Sequence, residues 1–164
     1  MPINKNITIS GPGADHLSID ANQAIVVFGV FDGKAATISG LTVRNAQSGV
    51  LNDGTVTVTN CVLSDNLYDS LYSYEGETIV RNCVVSGNSS SGLFNDVYHV
   101  PNNPIGGHCS MIIADSIISD NSGNGIVNYW FVTILNSTFS GNSAGPGYAC
   151  GGISSGTFKT PGSG

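Results

Sequence analysis

One seven-residue phrase recurs along this chain and limits its fold more than any other feature. It reads NCVLSDN at 60–66, NCVVSGN at 82–88, DSIISDN at 115–121 and NSTFSGN at 136–142. The closing residues, Asn66, Asn88, Asn121 and Asn142, stand 22, 33 and 21 positions apart. A small residue followed by an apolar one marches with them, at Gly49-Val50, Ser70-Leu71, Gly92-Leu93 and Gly125-Ile126. Self-similarity at such a period is the signature of a repeat architecture, in which each unit buries its apolar face only against its neighbours.

Within each unit the side chains alternate with period 2, as in Thr55-Val56-Thr57-Val58-Thr59, Glu77-Thr78-Ile79-Val80 and Phe131-Val132-Thr133-Ile134-Leu135. That is the pattern of a strand with one buried face. A second short strand follows Asn60, Asn82, Asp115 and Asn136, and a short apolar step such as Val50-Leu51 or Leu71-Tyr72 opens each repeat. Composition points the same way: 22 glycines and only 10% charged residues disfavour helices, whereas Val, Ile and Thr suit strands. The expected fold is all-β, a right-handed parallel β-helix (solenoid) of about seven rungs of 21–24 residues with one inserted loop. It forms a single domain over 1–160, either a segment of a longer protein or a short protein with irregular caps, and 161–164 is a tail or linker remnant. Upstream, LSIDAN at 17–22 parallels LTVRN at 41–45; downstream, GGISSGTFKT at 151–160 begins a rung.

Stacking copies of one residue about 4.8 Å apart would let side-chain amides bond from rung to rung. Ladders are therefore expected at Asn60/Asn82/Asp115/Asn136, at Asn66/Asn88/Asn121/Asn142 and at Asn52/Ser73/Asn95/Asn128. Cys61 and Cys83 share an inward column with Ser116 and Ser137 and are expected to be small buried fillers, since parallel Cβ directions disfavour a disulfide. Open terminal rungs would leave end-to-end self-association available.

INKNITISGPGADHLSIDAN, ATISGLTVRNAQSGVLNDGTVTVTNCVLSDN and FVTILNSTFSGNSA resemble the right-handed parallel β-helix repeat proteins of bacterial cell surfaces, including the polymorphic outer-membrane proteins. Phe139-Ser140-Gly141-Asn142 fits the Phe-x-x-Asn motif of the latter and Gly151-Gly152-Ile153 their Gly-Gly-Ala/Ile motif, while Leu63, Val85 and Ile118 replace Phe in the other copies. The resemblance covers about residues 3–158. It implies an extracellular or cell-surface, adhesin-type module, although no signal peptide is visible in this chain.

A formal charge of −6 with only five Lys and Arg argues against a nucleic-acid partner. No apolar run approaches the length of a membrane span, so no membrane insertion is expected. The 33-residue step carries about 12 inserted residues within 95–109, NDVYHVPNNPIGGHC. Tyr98, His99, His108 and Cys109 gather in this loop, but the histidine spacing matches no standard metal motif, so neither a metal nor a cofactor is expected. Beside it, one column of the coil should read Asp53, Tyr74, Asp96, Tyr129, with Glu75 and Trp130 at the next position. Rings cover the apolar faces of sugars and carboxylates accept their hydroxyl protons. The expected function is thus a non-catalytic surface module binding a glycan or a protein along this face, with no catalytic residue. The alternative is a polysaccharide-degrading enzyme, lyase or glycoside hydrolase, on the same scaffold, with Asp53 and Asp96 two rungs, or about 10 Å, apart.

Overall fold

In the computed structural model, which describes residues 1–96, 109–144 and 150–156, the strands stack into three parallel sheets. The first sheet has seven strands: Pro2–Ile3, Phe28–Val30, Val50–Asn52, Leu71–Ser73, Leu93–Asn95, Ile126–Asn128 and Ile153–Ser155. The second has six: Ile7–Ser10, Ala35–Ser39, Thr55–Thr59, Glu77–Arg81, Ser110–Ala114 and Phe131–Leu135. The third also has six: Ser18–Asp20, Thr42–Arg44, Val62–Ser64, Val84–Ser86, Ile117–Ser119 and Thr138–Ser140. The chain visits the sheets in strict rotation, so every strand but those at the two ends of each sheet pairs with the strand one turn earlier and the strand one turn later. This is the parallel β-helix that the repeats predict, with six complete turns and the first strand of another.

Register in the first sheet gives the turn lengths. Gly29, Leu51, Tyr72 and Phe94 pair in series at spacings of 22, 21 and 22 residues, and Phe94 to Val127 takes 33. The terminal turns are longer than the expected 21–24: Pro2 to Gly29 and Val127 to Ser154 each take 27. The added residues fall in corners, 11–17 in the first turn and between Ser140 and Ile153 in the last. Strand register fixes which faces are buried, and corners can lengthen without disturbing it.

The core is a set of columns. Ile38, Val58, Val80 and Ile113 stack from the second sheet, Val43, Leu63, Val85 and Ile118 from the third, and Val50, Leu71, Leu93 and Ile126 from the first, all fully buried. Each such side chain contributes about 1.5–3 kcal/mol by leaving water. Because both strand neighbours supply the same apolar type, a turn has no self-contained core, and turns stabilise one another.

One of the three expected asparagine ladders runs the length of the regular turns. Asn66 Nδ2 donates to Asn88 Oδ1 at 2.9 Å, Asn88 Nδ2 to Asn121 Oδ1 at 2.7 Å, and Asn121 Nδ2 to Asn142 Oδ1 at 2.7 Å. The same oxygens accept the backbone N–H of the preceding asparagine, at 3.0, 3.1 and 3.1 Å. Asn66 Oδ1 takes the N–H of Ala46 at 3.0 Å, which extends the column one turn further. The glycines of the second marker stand where the next turn's backbone passes close, since an added Cβ would lie 2.9 Å from Ser70 O at Gly49, 2.8 Å from Gly125 O at Gly92 and 2.8 Å from Gly152 O at Gly125. A Cβ on Gly92 would stand 3.0 Å from Asn121 Nδ2, and one on Gly125 would stand 3.0 Å from Asn142 Nδ2. The column Asn52/Ser73/Asn95/Asn128 is buried and bonded more variously: Asn95 Nδ2 donates to Asn128 Oδ1 at 2.6 Å, and Asn52 Nδ2 to Thr78 Oγ1 at 3.0 Å.

The third expected ladder does not form. Asn60, Asn82, Asp115 and Asn136 are exposed and adopt φ of 52°, 49°, 52° and 46°, turning the chain from the second sheet into the third. Asn and Asp are chosen here because they tolerate the left-handed conformation, and a single side-chain bond joins members of this column among the described residues, from Asn136 Nδ2 to Asp115 Oδ1 at 3.2 Å. The next residue closes the corner by donating back to the carbonyl two residues earlier: Cys61 to Thr59, Cys83 to Arg81, Ser116 to Ala114 and Ser137 to Leu135. Cys61 and Cys83 are free buried thiols filling a serine position, as expected, and burial pushes the Cys83 thiol up to about 12.

Asn88→Ala should leave the Asn66 N–H and Nδ2 without their shared acceptor and cost about 2–4 kcal/mol in urea denaturation. Asn82→Gly, at the exposed left-handed corner, should change stability by less than about 1 kcal/mol. Equal losses at the two positions would contradict the different roles assigned to the two asparagine columns. Under native conditions a maleimide should modify exposed Cys150 and spare Cys61, Cys83 and Cys109, all buried.

Candidate functional site

The outward face of the first sheet carries two adjacent columns. In these three-residue strands the first and third side chains point into the core, so the middle one must point out. The middle positions are Gly29, Leu51, Tyr72, Phe94 and Val127. Tyr72 and Phe94 stack with centroids 4.5 Å apart and planes at 9°, and Tyr74 lies 4.5 Å from Tyr72 at 30°. Phe94 reaches Tyr129 at 5.9 Å and 49°. Four rings from three successive turns therefore form one continuous apolar patch.

The neighbouring column begins where each strand ends. Each of its residues donates its N–H to the turn before: Asp53 to Val30, Tyr74 to Asn52, Asp96 to Ser73 and Tyr129 to Asn95, at 2.8 to 2.9 Å. The structure thus stacks Asp53, Tyr74, Asp96 and Tyr129 vertically, at the register their spacing implies, and sets the aromatic column beside them. Concave space runs along this face. Met1, Val26, Gly29, Phe31, Leu51 and Asp53 are among the residues lining a cavity of about 250 Å³. Asp32, Asp53, Tyr74 and Glu75 line one of about 310 Å³. Further along, Phe94, Val127 and Tyr129 line one of about 320 Å³ together with Asp69 and the loops at 89–91 and 122–124. From Gly29 to Val127 the face extends over four turns, about 19 Å.

Its electrostatics are one-sided. Burial first, and then the charge of Asp32, hold the Asp53 carboxyl above its ordinary value. Burial also raises Asp69, against the opposing effect of hydrogen bonds from Ser90 Oγ and Ser91 N–H, both at 2.8 Å. The Tyr72 phenol is pushed up by burial, then by its hydrogen bond with Tyr74, and further by the charges of Tyr74, Asp96 and Asp69. Tyr72 thus stays protonated between carboxylates contributed by two corners. Among the described residues no Lys, Arg or His lines these three cavities. The two described arginines are engaged elsewhere, Arg44 with Asp20 at 3.3 Å and Arg81 with Asp115 at 3.7 Å.

Of the residues singled out from sequence, Asp53, Tyr74 and Glu75 meet in one cavity, Asp96 continues the column, and Tyr129 lines the third cavity. Trp130 follows Tyr129 but packs edge-on against Phe131 at 5.7 Å and 80°. Tyr98, His99 and His108 lie outside the described residues. Cys109 is buried, its Sγ donating to Asn95 Oδ1 at 2.7 Å, and burial raises its pKa, so it is not an activated nucleophile. No cluster of three His, Cys, Asp or Glu among the described residues is placed to hold a metal ion. The sequence places Tyr72 only in a short apolar step and does not single out Phe94, Asp32, Asp69 or Asn124. The alternation within each strand contained the signal for the first two, because the middle residue of a three-residue strand must face out when its neighbours face in.

No protein-family model matches the chain, and no curated protein matches its sequence. Among solved structures it is similar to the crystal structure of the Agl-KA catalytic domain, with a TM-score of 0.57 and 17% sequence identity over 95% of this chain. The chain spans 38% of that chain's length. At that identity the likeness is one of fold.

Asp53 provides a test of this electrostatic picture. Its folded pKa is raised, so the native state binds the proton more tightly and loses stability as pH rises through the carboxylate range. Asp53→Asn should therefore be more stable than the parent at pH 7, and the difference should vanish below about pH 3. Urea midpoints at the two pH values measure this; a variant less stable at pH 7 would mean that Asp53 has a stabilising partner.

Proposed function

We propose that this chain is a polysaccharide-acting β-helix segment that lays a neutral glycan along the outer face of its first sheet and hydrolyses it there. The observation that carries the reading is the continuous patch of Tyr72, Phe94, Tyr74 and Tyr129 beside a column of carboxylates. Stacked rings offer an apolar platform for the C–H faces of pyranose rings, and flanking carboxylates accept hydroxyl protons. The absence of basic side chains from the described cavity walls, with Asp32, Asp53, Glu75, Asp69 and Asp96 around the face, disfavours uronic or sulfated polymers. A fold shared with a catalytic domain supports turnover over binding alone.

In this reading Asp53 is the proton donor and Asp96 the base. The column places them two turns apart, about 10 Å between backbones, close to the separation used by inverting glycosidases, about 6.5–9.5 Å between carboxyls. The glycosidic bond breaks as the Asp53 carboxyl protonates the leaving oxygen. A water attacks the anomeric carbon from the opposite side and passes its proton to the Asp96 carboxylate. The raised pKa of Asp53 suits the acid role, since a general acid must still hold its proton near the working pH.

Affinity electrophoresis on a panel of neutral and acidic polysaccharides, together with reducing-end assays, tests the proposal. Retention should be confined to neutral polymers and fall at least tenfold in Tyr74→Ala, while Asp53→Asn should keep retention and lose at least 100-fold in product release. Retention without product from the parent would restore the non-catalytic surface module. Unchanged retention in Tyr74→Ala would remove the strip itself.

A further inference from the structure

The third cavity differs from the open strip beside it. Its wall comes from the corners that lead from the third sheet back to the first, with Asp69 on one turn, Ser89, Ser90 and Ser91 on the next, and Ser122, Gly123 and Asn124 on the one after. Its remaining side is apolar, made by Phe94, Val127 and the ring of Tyr129. At about 320 Å³ it lies at the small end of ligand cavities, which run from about 300 to 1,000 Å³.

Two features mark it as more than a gap between loops. Asn124 is only 6% exposed, and its Oδ1 is the one buried side-chain oxygen or nitrogen among the described residues with no hydrogen-bond partner. An orphan of that kind leaves its desolvation uncompensated and calls for a specific cause. Second, Asp69 is held in place by Ser90 and Ser91 through a single oxygen, Oδ1. A carboxylate has two oxygens and about four acceptor sites, so these bonds orient it without exhausting it.

We propose that this cavity is a subsite for one neutral pyranose unit, in which Asn124 and Asp69 accept hydroxyl protons and Phe94, Val127 and Tyr129 cover the apolar side of the ring. Asn124 Oδ1 is itself closed off from solvent, and a turn of the amide about its soft terminal torsion would present it to a ligand in the cavity. Serine hydroxyls at 89, 90, 91 and 122 supply further neutral donors and acceptors. An anionic sugar would set its carboxylate against Asp69 with no described cation in the wall, whereas a neutral ring meets only acceptors and hydroxyls. This subsite rests on the reading of the first-sheet face as a glycan strip. It makes that reading specific, because a cavity of this size takes one ring, a chain end or a single branch, rather than a continuous backbone.

The measurement is two-dimensional NMR of the full chain titrated with the methyl glycosides of glucose, galactose, mannose and glucuronic acid, paired with polysaccharide retention. At least one neutral glycoside should shift the Ser91, Gly123 and Asn124 amide signals saturably, and the glucuronide should leave them in place. Asn124→Ala and Asp69→Asn should each weaken that response at least tenfold. Ser122→Trp, an exposed rim position whose side chain makes no described bond, should block it with the rest of the spectrum preserved, which separates occlusion from misfolding. If every glycoside leaves these amides unmoved, or the shifts persist unchanged in Asn124→Ala and Ser122→Trp, the subsite is overturned. Polysaccharide retention lost in Tyr74→Ala but indifferent to Asn124→Ala would overturn the subsite and keep the strip. Monosaccharide shifts without retention of any polymer would do the reverse.

Discussion

A side-chain amide that accepts twice from the turn below and donates once to the turn above holds this molecule in register. Hydrophobic columns alone forbid a one-residue slip, which would turn the buried face outward, but would tolerate a two-residue one, since Val, Leu and Ile are nearly interchangeable along them. The Asn66–Asn88–Asn121–Asn142 ladder does not tolerate that either, because it would leave buried donors and acceptors unpaired at every level. Beside it at Gly92 and Gly125, an added Cβ would meet the next turn's backbone and the ladder's amides as well. Registration of the outer face, and with it any site there, is inherited from this interior constraint.

That inheritance explains why the proposed site can be assembled from residues far apart in the chain. Asp53, Tyr74, Asp96 and Tyr129 are separated by 21, 22 and 33 residues, yet each donates its N–H to the turn of the one before. The scaffold absorbs the longest separation in a corner, between Asn95 and Ser110, without shifting the strands on either side. Rigidity comes from the strands and variety from the corners, the division of labour by which repeat folds build extended surfaces.

The architecture was legible from sequence because repetition reports vertical stacking directly. The ladder at Asn66 and the column at Asp53 were both read from spacing, and both stack as their register requires. The column at Asn60 shows where spacing misleads. Asparagine is favoured both for amide stacking and for the left-handed corner, and only φ near 50° with an exposed side chain separates the two uses. Phe94 went unread because apolar residues in short strands look like core, although inside and outside alternate within three residues. Asp69 and Asn124 left no trace in the repeat, since their turns carry unlike residues in the same corner and the cavity between them exists only once the corners are folded. Asp32 lies in a turn whose upstream markers are irregular, so its place beside Asp53 emerged only from the strand pairing.

The alternation of acid and ring along the outer column has its own periodicity. Carboxylate, phenol, carboxylate, phenol repeats every second turn, about 10 Å, while the backbone beneath repeats every turn. A polymer displaced by one turn would set its hydroxyls against rings and its carbon faces against charges; displaced by two, it would regain every contact. On the proposed reading the column would act as a ruler with a coarser graduation than the coil that carries it, favouring chains whose own chemical repeat is commensurate with two turns and penalising those that are out of step.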